Sequence, residues 1–192
     1  MTDSKQQSAL SKEQIDSVIA LFANGELDEA LNYSKKLLES FSEESILHNI
    51  IGACYAGKGE LGSAVNSYKK AIEIDPNYAK AHFNLGAAYH DSGSYDKSIE
   101  SYKNSLSIDP NYAQAQNNLG NLFSEISKPK EAIDSYKNAL KINPTYIEAL
   151  YGYALILEEQ GELEQMIEQL EKVVAIKPDL VEVHNRIGVG FH

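Results

Sequence analysis

Histidine, cysteine and carboxylate side chains are the groups in this sequence that could bind a metal ion or act as a nucleophile. His48, His82 and His184 are separated by 34 residues or by a multiple of 34, whereas zinc ligands usually occur in pairs at short spacing. We therefore expect packing or interfacial histidines at these positions, and no metal site. Cys54 has no candidate base near it in the sequence, which favours a structural thiol over a nucleophile.

Neither the charge nor the remaining motifs favour catalysis or nucleic-acid binding. The chain holds 28 acidic and 17 basic residues and has a net charge of −11, which argues against nucleic acid or an anionic membrane as a partner. Gly57, Lys58 and Gly59 read as a turn and not as a phosphate-binding loop. No pair of carboxylates is singled out for acid–base chemistry. We therefore predict a protein that is not an enzyme, with no catalytic residue, no cofactor and no metal.

Membrane and secretory signals are also missing from the sequence pattern. No apolar run reaches the roughly 18 residues that a membrane-spanning helix requires. Residues 1–10 lack the apolar stretch of a secretory signal. A single cysteine fits a reducing compartment. These observations predict a cytoplasmic protein that does not associate with membranes.

A 34-residue period organises the chain. The third copy has Leu85 and Gly86, then Tyr89 and Tyr102, and it closes with Pro110. Similar residues recur at these places in neighbouring copies, and self-similarity at a fixed period is the signature of a repeat protein. We divide the sequence into a polar N-terminal tail at 1–10, full repeats at 11–44, 45–78, 79–112, 113–146 and 147–180, and a partial sixth repeat at 181–192.

Each repeat has the pattern of two amphipathic helices joined by a tight turn. Apolar residues recur at helical spacing in two stretches of about 14 residues. Glycine between the stretches supplies the positive φ that such a turn needs, and proline ends the second helix. The turn glycines are Gly25, Gly59, Gly93 and Gly161. The prolines are Pro76, Pro110, Pro144 and Pro178.

Two features within the helices lead to specific expectations. Glycine lies inside the first helix, where it costs about 1 kcal/mol relative to alanine, so we expect a neighbouring helix to approach closely there. These glycines are Gly52, Gly86, Gly120 and Gly188. In the fourth repeat Ser127 and Lys128 precede Pro129 at the turn, and we expect the second helix to begin at that proline.

The pattern resembles the tetratricopeptide repeat (TPR) family, which has Leu-Gly and then Tyr in the first helix, Ala-x-x-x-Phe in the second and a closing proline. The resemblance covers about 182 of the 192 residues. The sequence departs from the family in having histidine where tryptophan is favoured, and tyrosine where phenylalanine is favoured in the second helix. The resemblance implies an all-α fold, a right-handed superhelical solenoid of about eleven antiparallel helices.

In this family the first helices line a concave groove, and the side chains that face the groove vary between proteins. Carried over by repeat position, the resemblance implies a set of groove residues for binding a peptide. They are Asn49, Lys80, Phe83, Asn84, His90, Gln114, Asn117, Asn118, Asn121, Tyr151, Asn185 and Arg186. Asparagine stands out among them because its amide both donates and accepts hydrogen bonds, so that one side chain can bind the backbone of an extended peptide.

Two binding modes of related proteins fit these residues incompletely. Asn84 and Asn118 lie one repeat apart and look like the start of the asparagine ladder of O-linked N-acetylglucosamine transferases. Ile50 and Gly152 occupy that place in the second and fifth repeats, so a partial ladder and a consensus asparagine without a specific role both stay open. The carboxylate clamp that binds chaperone C-termini needs lysines and asparagines in a set that no three successive repeats supply.

The sequence therefore predicts a non-catalytic scaffold that binds an extended peptide or a partner segment, of unknown identity, in the groove. One alternative is the N-terminal substrate-recruiting module of a larger enzyme of the glycosyltransferase, sulfotransferase or oxygenase type, of which this chain would be a fragment. Another alternative is self-assembly into a homo-oligomer through residues 181–192, where Val181, Val183 and Ile187 are apolar and no second helix follows. Residues 181–192 as a lone capping helix also stay open.

Overall fold

The computed structural model describes residues 10–190, with side chains described for residues 10–188. The described residues form α-helices and no β-strand, which confirms the predicted all-α fold of about eleven helices. The helices are α1 Lys12–Ala23, α2 Leu27–Leu38, α3 Ser45–Gly57, α4 Leu61–Ile74, α5 Ala79–Asp91, α6 Tyr95–Ile108, α7 Ala113–Glu125, α8 Pro129–Ile142, α9 Ile147–Glu159, α10 Leu163–Ile176 and α11 Val181–Gly190. Of the predicted tail at 1–10, only Leu10 lies within the described residues, and the last two residues of the partial sixth repeat lie outside them.

The helices belong to two compact units, which we call unit 1 (residues 1–108) and unit 2 (residues 109–192). In unit 1, α1 pairs with α2, α3 with α4 and α5 with α6, while α3 also contacts both α1 and α5. In unit 2, α7 pairs with α8 and α9 with α10, α7 also contacts α9, and α11 packs on α10. Each helix therefore contacts mainly its neighbours in sequence, which is how repeat proteins pack.

Tight turns join the two helices of each pair. The four predicted turn glycines have φ between 72° and 81°, which confirms the expectation of positive φ. The α7–α8 turn holds Ser127 at this place, with a φ of 58°. A side chain at positive φ brings its Cβ close to the following carbonyl oxygen, at a cost of about 1–2 kcal/mol. As predicted, α8 begins at Pro129, because the fixed φ of proline suits the first helical position.

Replacing Ser127 with glycine should raise the free energy of unfolding by about 1 kcal/mol, because glycine adopts positive φ without strain. Urea denaturation followed by circular dichroism measures this change. Gly93→Ala, in the α5–α6 turn where φ is 72°, is the control. It should lower the free energy of unfolding, because alanine at positive φ is strained. A Ser127→Gly protein that is less stable than the parent would contradict this account of the turn.

Glycines inside the first helices allow a tyrosine of the paired helix to lie directly against the helix backbone. A Cβ built on the glycine would stand 2.6–2.7 Å from a tyrosine ring carbon in three helix pairs. The pairs are Gly52 with Tyr68, Gly86 with Tyr102, and Gly120 with Tyr136. The predicted close approach is therefore confirmed at these glycines. At Gly188 nothing among the described residues lies within 4 Å of the Cβ position, so that the close approach expected there stays a prediction.

The residue at the glycine position of the first helix and the residue at the tyrosine position of the second helix are matched in size within each repeat. Counted within each repeat, the glycines are at position 8 and the tyrosines at position 24. In the first repeat the two positions hold Val18 and Ser34, and in the fifth they hold Ala154 and Leu170. All four of these residues are buried. Glycine thus accompanies tyrosine, alanine accompanies leucine, and valine accompanies serine, as close packing of two helices requires.

Candidate functional site

The first helices of unit 1 line a cleft of about 220 Å³, which we call the α1–α3–α5 cleft. It forms because α3 contacts both α1 and α5, so that one face of each helix borders the same space. The residues that line it are Ile19, Phe22, Ile46, Asn49, Ile50, Ala53, Tyr78, Lys80 and Asn84. Apolar side chains predominate, and only lysine among the lining residues carries a charge.

Two apolar side chains of α1 are exposed to solvent in this cleft. Ile19 is 45% exposed and Phe22 is 37% exposed, and the two lie one helical turn apart. Val18, next to Ile19, is completely buried in the core of unit 1, so the orientation of α1 is fixed by its buried side. An exposed apolar patch beside polar groups is typical of an interaction surface.

Ile19 and Phe22 were not among the predicted groove residues, although their positions in the repeat indicate the groove. Phe22 lies at the same repeat position as His90, which was assigned to the groove, and Ile19 lies at the position of Ala53. Repeat phase therefore places both on the groove side of α1. The first repeat matches the consensus least well, and no groove residue was predicted in it.

A pair of asparagines supplies the polar centre of the α1–α3–α5 cleft. The Asn84 Nδ2 donates a hydrogen bond of 2.9 Å to the Asn49 Oδ1. Asn49 is only 4% exposed, whereas Asn84 is half-buried and Lys80 is exposed. The structure thus brings together three of the groove residues predicted in unit 1, and the hydrogen bond fixes the orientation of the Asn84 amide.

The other two groove residues predicted in unit 1 do not line this cleft. The Phe83 ring packs on Tyr102 of α6, with 5.7 Å between ring centroids. The His90 ring lies 5.9 Å from the ring of Tyr95, and its Nδ1 is 3.7 Å from the Asp91 carboxylate. Both side chains therefore contact the helix pair in which they lie.

Unit 2 has a more polar cleft of about 370 Å³, which we call the α7–α9 cleft. The residues that line it are Asn121, Ser124, Tyr136, Glu148, Tyr151, Gly152, Leu155 and Glu159. The Tyr136 hydroxyl donates a hydrogen bond of 2.8 Å to the Asn121 Oδ1. Burial, with the nearby Glu159 carboxylate, raises the pKa of Tyr136 to about 12. Two of the lining residues are carboxylates and none is basic, so this cleft is acidic.

The predicted groove residues of α7 differ in their accessibility. Asn117 is 4% exposed, and its Oδ1 has no hydrogen-bond partner among the described residues. Its Nδ2 lies 3.5 Å from the Asn118 Oδ1. Asn118 is half-buried and Gln114 is exposed. Of the α7 residues predicted for the groove, Asn121 is the one that lines the cleft.

Two predicted groove residues, Tyr151 of α9 and Arg186 of α11, belong to an ionic cluster. The Tyr151 hydroxyl donates a hydrogen bond of 2.6 Å to the Glu182 carboxylate, and this bond raises the pKa of Tyr151. Arg186 forms an ion pair with Glu158, and its guanidinium lies 5.9 Å from the centroid of the Tyr151 ring. Asn185 is exposed. Carboxylates of the chain thus neutralise Arg186, which disfavours it as a binding group for an acidic ligand.

Three histidines at the same position in different repeats each contact the loop that precedes their helix. In each case Nε2 lies 2.8–3.3 Å from the carbonyl oxygen of the residue six positions earlier. The pairs are His48 with Ser42, His82 with Pro76, and His184 with Pro178. None of the three is fully buried. Each ring therefore makes a hydrogen bond with the backbone at a position where the sequence predicts a packing or interfacial histidine.

The remaining candidate groups among the described residues are the thiol of Cys54 and the possible metal ligands. Cys54 is completely buried, and burial raises the pKa of its thiol, which disfavours the reactive thiolate. Within residues 10–190, no group of three or more His, Cys, Asp or Glu could hold a metal ion. In the same range, no helix is both long enough and apolar enough to cross a membrane.

Comparison with protein families gives matches along most of the repeated region. Family models described as TPR repeat match residues 52–93 and 88–127. Models described as tetratricopeptide repeat match residues 113–146 and 135–168. The matched range, 52–168, is more than half of the chain. A comparison with curated proteins gave no match.

Solved structures of similar fold match this chain at low sequence identity. PilF of Pseudomonas aeruginosa has a TM-score of 0.81 at 16% identity, over 93% of this chain and 87% of that chain. MamA from Desulfovibrio magneticus RS-1 has a TM-score of 0.75 at 18% identity, over 88% of this chain and 96% of that chain. YrrB, a TPR protein with an unusual peptide-binding site, has a TM-score of 0.70 at 19% identity, over 94% of this chain and 92% of that chain. At these identities the likeness shows the fold.

Proposed function

Because this chain belongs to the tetratricopeptide repeat family, we propose that it is a non-catalytic scaffold that binds an extended peptide or a partner segment in the α1–α3–α5 cleft. The observation that carries the proposal is the exposure of Ile19 and Phe22 beside the Asn84 amide. The peptide-binding site of YrrB, which shares the fold, supports a peptide as the occupant.

Apolar contact supplies most of the proposed affinity. An apolar side chain of the partner that packs on Ile19, Phe22 and Ile46 is removed from water together with the exposed parts of these residues. Full burial of a leucine-sized side chain contributes about 1.5–3 kcal/mol. This contribution favours a partner with at least one large apolar residue at the point of contact.

The Asn84 amide fixes the orientation of the bound peptide. One of its two amide hydrogens is used in the bond to Asn49, which leaves one donor and the Oδ1 acceptor for a ligand. These two groups match the C=O and N–H of one residue in an extended peptide. Because the bond to Asn49 already fixes the Asn84 amide, the conformational entropy of the Asn84 side chain is lost when the protein folds and not when the peptide binds.

Phe22→Asp should weaken peptide binding by at least about tenfold, because a charge placed on the apolar patch must be desolvated when the peptide binds. Asn84→Ala should weaken it by a smaller factor, through the loss of one or two hydrogen bonds. The ligands for this test are peptides selected on the immobilised protein from a random peptide library. Isothermal titration calorimetry gives their Kd for each variant.

Leu163→Asp is the matched control, since Leu163 is a 44% exposed apolar residue of α10 in unit 2. It should bind the selected peptides as the parent chain does. If Phe22→Asp and Leu163→Asp bind equally well, the α1–α3–α5 cleft is not the binding site. Selected peptides without a large apolar residue would contradict the proposed role of the patch.

A further inference from the structure

Unit 1 has a second groove of about 420 Å³ between the second helices of two repeats, which we call the α4–α6 groove. Helix α5 forms its floor, since α5 contacts both α4 and α6. The floor residues used below are Leu85 and Tyr89. They lie on a different face of α5 from Lys80 and Asn84, which line the α1–α3–α5 cleft. The two sites are therefore separate.

Two lysines, one from each wall of this groove, lie over the same aromatic ring. The Nζ of Lys69 in α4 is 5.9 Å from the centroid of the Tyr89 ring, and the Nζ of Lys97 in α6 is 5.6 Å from it. The face of the ring attracts both cations. Among the residues with described side chains, neither ammonium group has an ion-pair partner. Two like charges thus lie within 6 Å of one point without a carboxylate beside them.

The repeat pattern does not account for the second of these lysines. Lys69 is at position 25 of its repeat, where lysine recurs in the first, third and fourth repeats. Lys97 is at position 19. The other full repeats hold Glu29, Ser63, Glu131 and Gln165 at position 19. Packing of the helices therefore does not require lysine there, and the pair of cations is particular to this groove.

Each wall of the groove also carries a carboxylate. Glu73 follows Lys69 by four residues in α4, and Glu100 follows Lys97 by three residues in α6. Because successive helices run antiparallel, α4 and α6 run in the same direction, and both carboxylates are displaced toward the same end of the groove. Glu73 also pairs with Lys70 at 3.1 Å, a surface contact that contributes little. The groove thus has a cationic end and an acidic end, separated by about one helical turn of 5.4 Å.

We propose that the α4–α6 groove binds an extended segment of a partner protein that carries an acidic and a basic residue two positions apart. Side chains two positions apart in an extended chain point to the same side and are separated by about 6.6 Å. This distance matches the separation of the two ends of the groove. The acidic side chain lies between Lys69 and Lys97, and the basic side chain lies between Glu73 and Glu100. The site does not depend on the function proposed for the α1–α3–α5 cleft.

The burial and charge of the groove favour this occupant over a helix and over a purely acidic segment. A helix that binds in a groove relies on apolar anchors, whereas Leu85 is 7% exposed and Tyr89 is 9% exposed. Little apolar surface is therefore left for a helix to cover. A purely acidic segment is repelled by the net charge of −11 and also meets Glu73 and Glu100. A segment with one acidic and one basic residue avoids both penalties.

NMR titration of the isotope-labelled full chain tests the proposal. The probe is the peptide Gly-Ser-Glu-Ala-Lys-Ser-Gly with both ends blocked. Changes in amide chemical shift should map to α4, α5 and α6 and should saturate with a Kd below about 1 mM. A peptide with glutamine in place of the glutamate should bind at least about threefold more weakly, because it loses the charge that pairs with the two lysines.

Variants of α6 locate the contact. Lys97→Gln should weaken binding of the glutamate peptide at least about threefold. Lys103→Gln is the matched control, since it makes the same change of charge at an exposed position of α6 outside the groove, and it should bind as the parent chain does. On the Lys97→Gln chain the glutamate and glutamine peptides should differ less than on the parent chain, because one partner of the glutamate is already missing. Both variants should keep the circular dichroism spectrum of the parent chain.

Four results would overturn the proposal. The first is a Kd above about 1 mM for the glutamate peptide, and the second is an equal loss of binding in Lys97→Gln and Lys103→Gln. The third is a set of shift changes confined to α1 and α3, which would place the peptide in the α1–α3–α5 cleft. The fourth is saturation of the same amides by sodium acetate at the same concentration as the peptide, since the groove would then bind any carboxylate and not a segment of a protein.

Discussion

Replacing Gly120 with valine is expected to lower the free energy of unfolding by about 3 kcal/mol, at the upper end of the usual cost of overpacking. A Cβ at this position would stand 2.6 Å from a ring carbon of Tyr136. The ring also lies close to the backbone of Gly152, where a Cβ would stand 2.7 Å from it, and this backbone limits how far the ring can move. The clash therefore outweighs the gain in helix propensity, which is below about 1 kcal/mol.

Chemical denaturation of three variants tests this expectation. Gly62→Val is the control for helix propensity, since nothing lies within 4 Å of the Gly62 Cβ position, and it should be nearly neutral. The double variant Gly120→Val with Tyr136→Ser reproduces the pairing of Val18 with Ser34 in the first repeat. It should be at least about 1 kcal/mol more stable than the sum of the two single effects predicts. Strict additivity would show that the two positions are not matched.

Stability should fall steeply when the pH rises above 10. Burial raises the pKa of Tyr136 to about 12 and also raises the pKa of Tyr68, whereas tyrosine in an unfolded chain titrates near about 10. The folded protein therefore holds protons that the unfolded chain releases, and the stabilisation that is complete below pH 10 is lost as the pH rises through this range. For Tyr136 alone the loss at pH 12 is about 2–3 kcal/mol, at about 1.4 kcal/mol for each pKa unit.

Urea unfolding at several pH values between 8 and 12 measures this loss. Tyr136→Phe keeps the ring and removes the ionisable proton, together with the hydrogen bond to Asn121. It should be less stable than the parent at pH 8, by about 1 kcal/mol, and the difference should shrink and then reverse above pH 10. Parallel stability curves for the two proteins would mean that Tyr136 does not titrate differently in the folded and unfolded states.

Much of the fold could be predicted because the signals that determine it are local. The turn glycines and Pro129 act through their own φ angles, so that their effect does not depend on distant contacts. The close approach at Gly86 could be predicted from the cost of glycine in a helix. At Gly188 the same cost predicts a close neighbour, and none of the described residues is that neighbour.

Less of the candidate site could be predicted, because repeat phase gives the face of a helix and not the partner of each side chain. Asn49 was predicted for the groove and lines the α1–α3–α5 cleft, yet it is 4% exposed and bonded to Asn84. Arg186 was considered as a basic groove residue, but it pairs with Glu158 from the preceding repeat. Such pairs depend on side-chain conformation and on the charge of another helix, which a position in the repeat does not specify.

The matched residues at positions 8 and 24 also limit how genes for such proteins can be rearranged. If recombination placed α10 after α7, Leu170 would face Gly120 in place of the Tyr136 ring and leave a cavity, which lowers stability. If it placed α8 after α1, the Tyr136 ring would meet Val18. Crossovers in the proline-containing loops between repeats keep each helix pair intact, whereas crossovers at the glycine turns separate it. Exchange of a complete helix pair therefore preserves the matched residues, whereas exchange of a single helix does not.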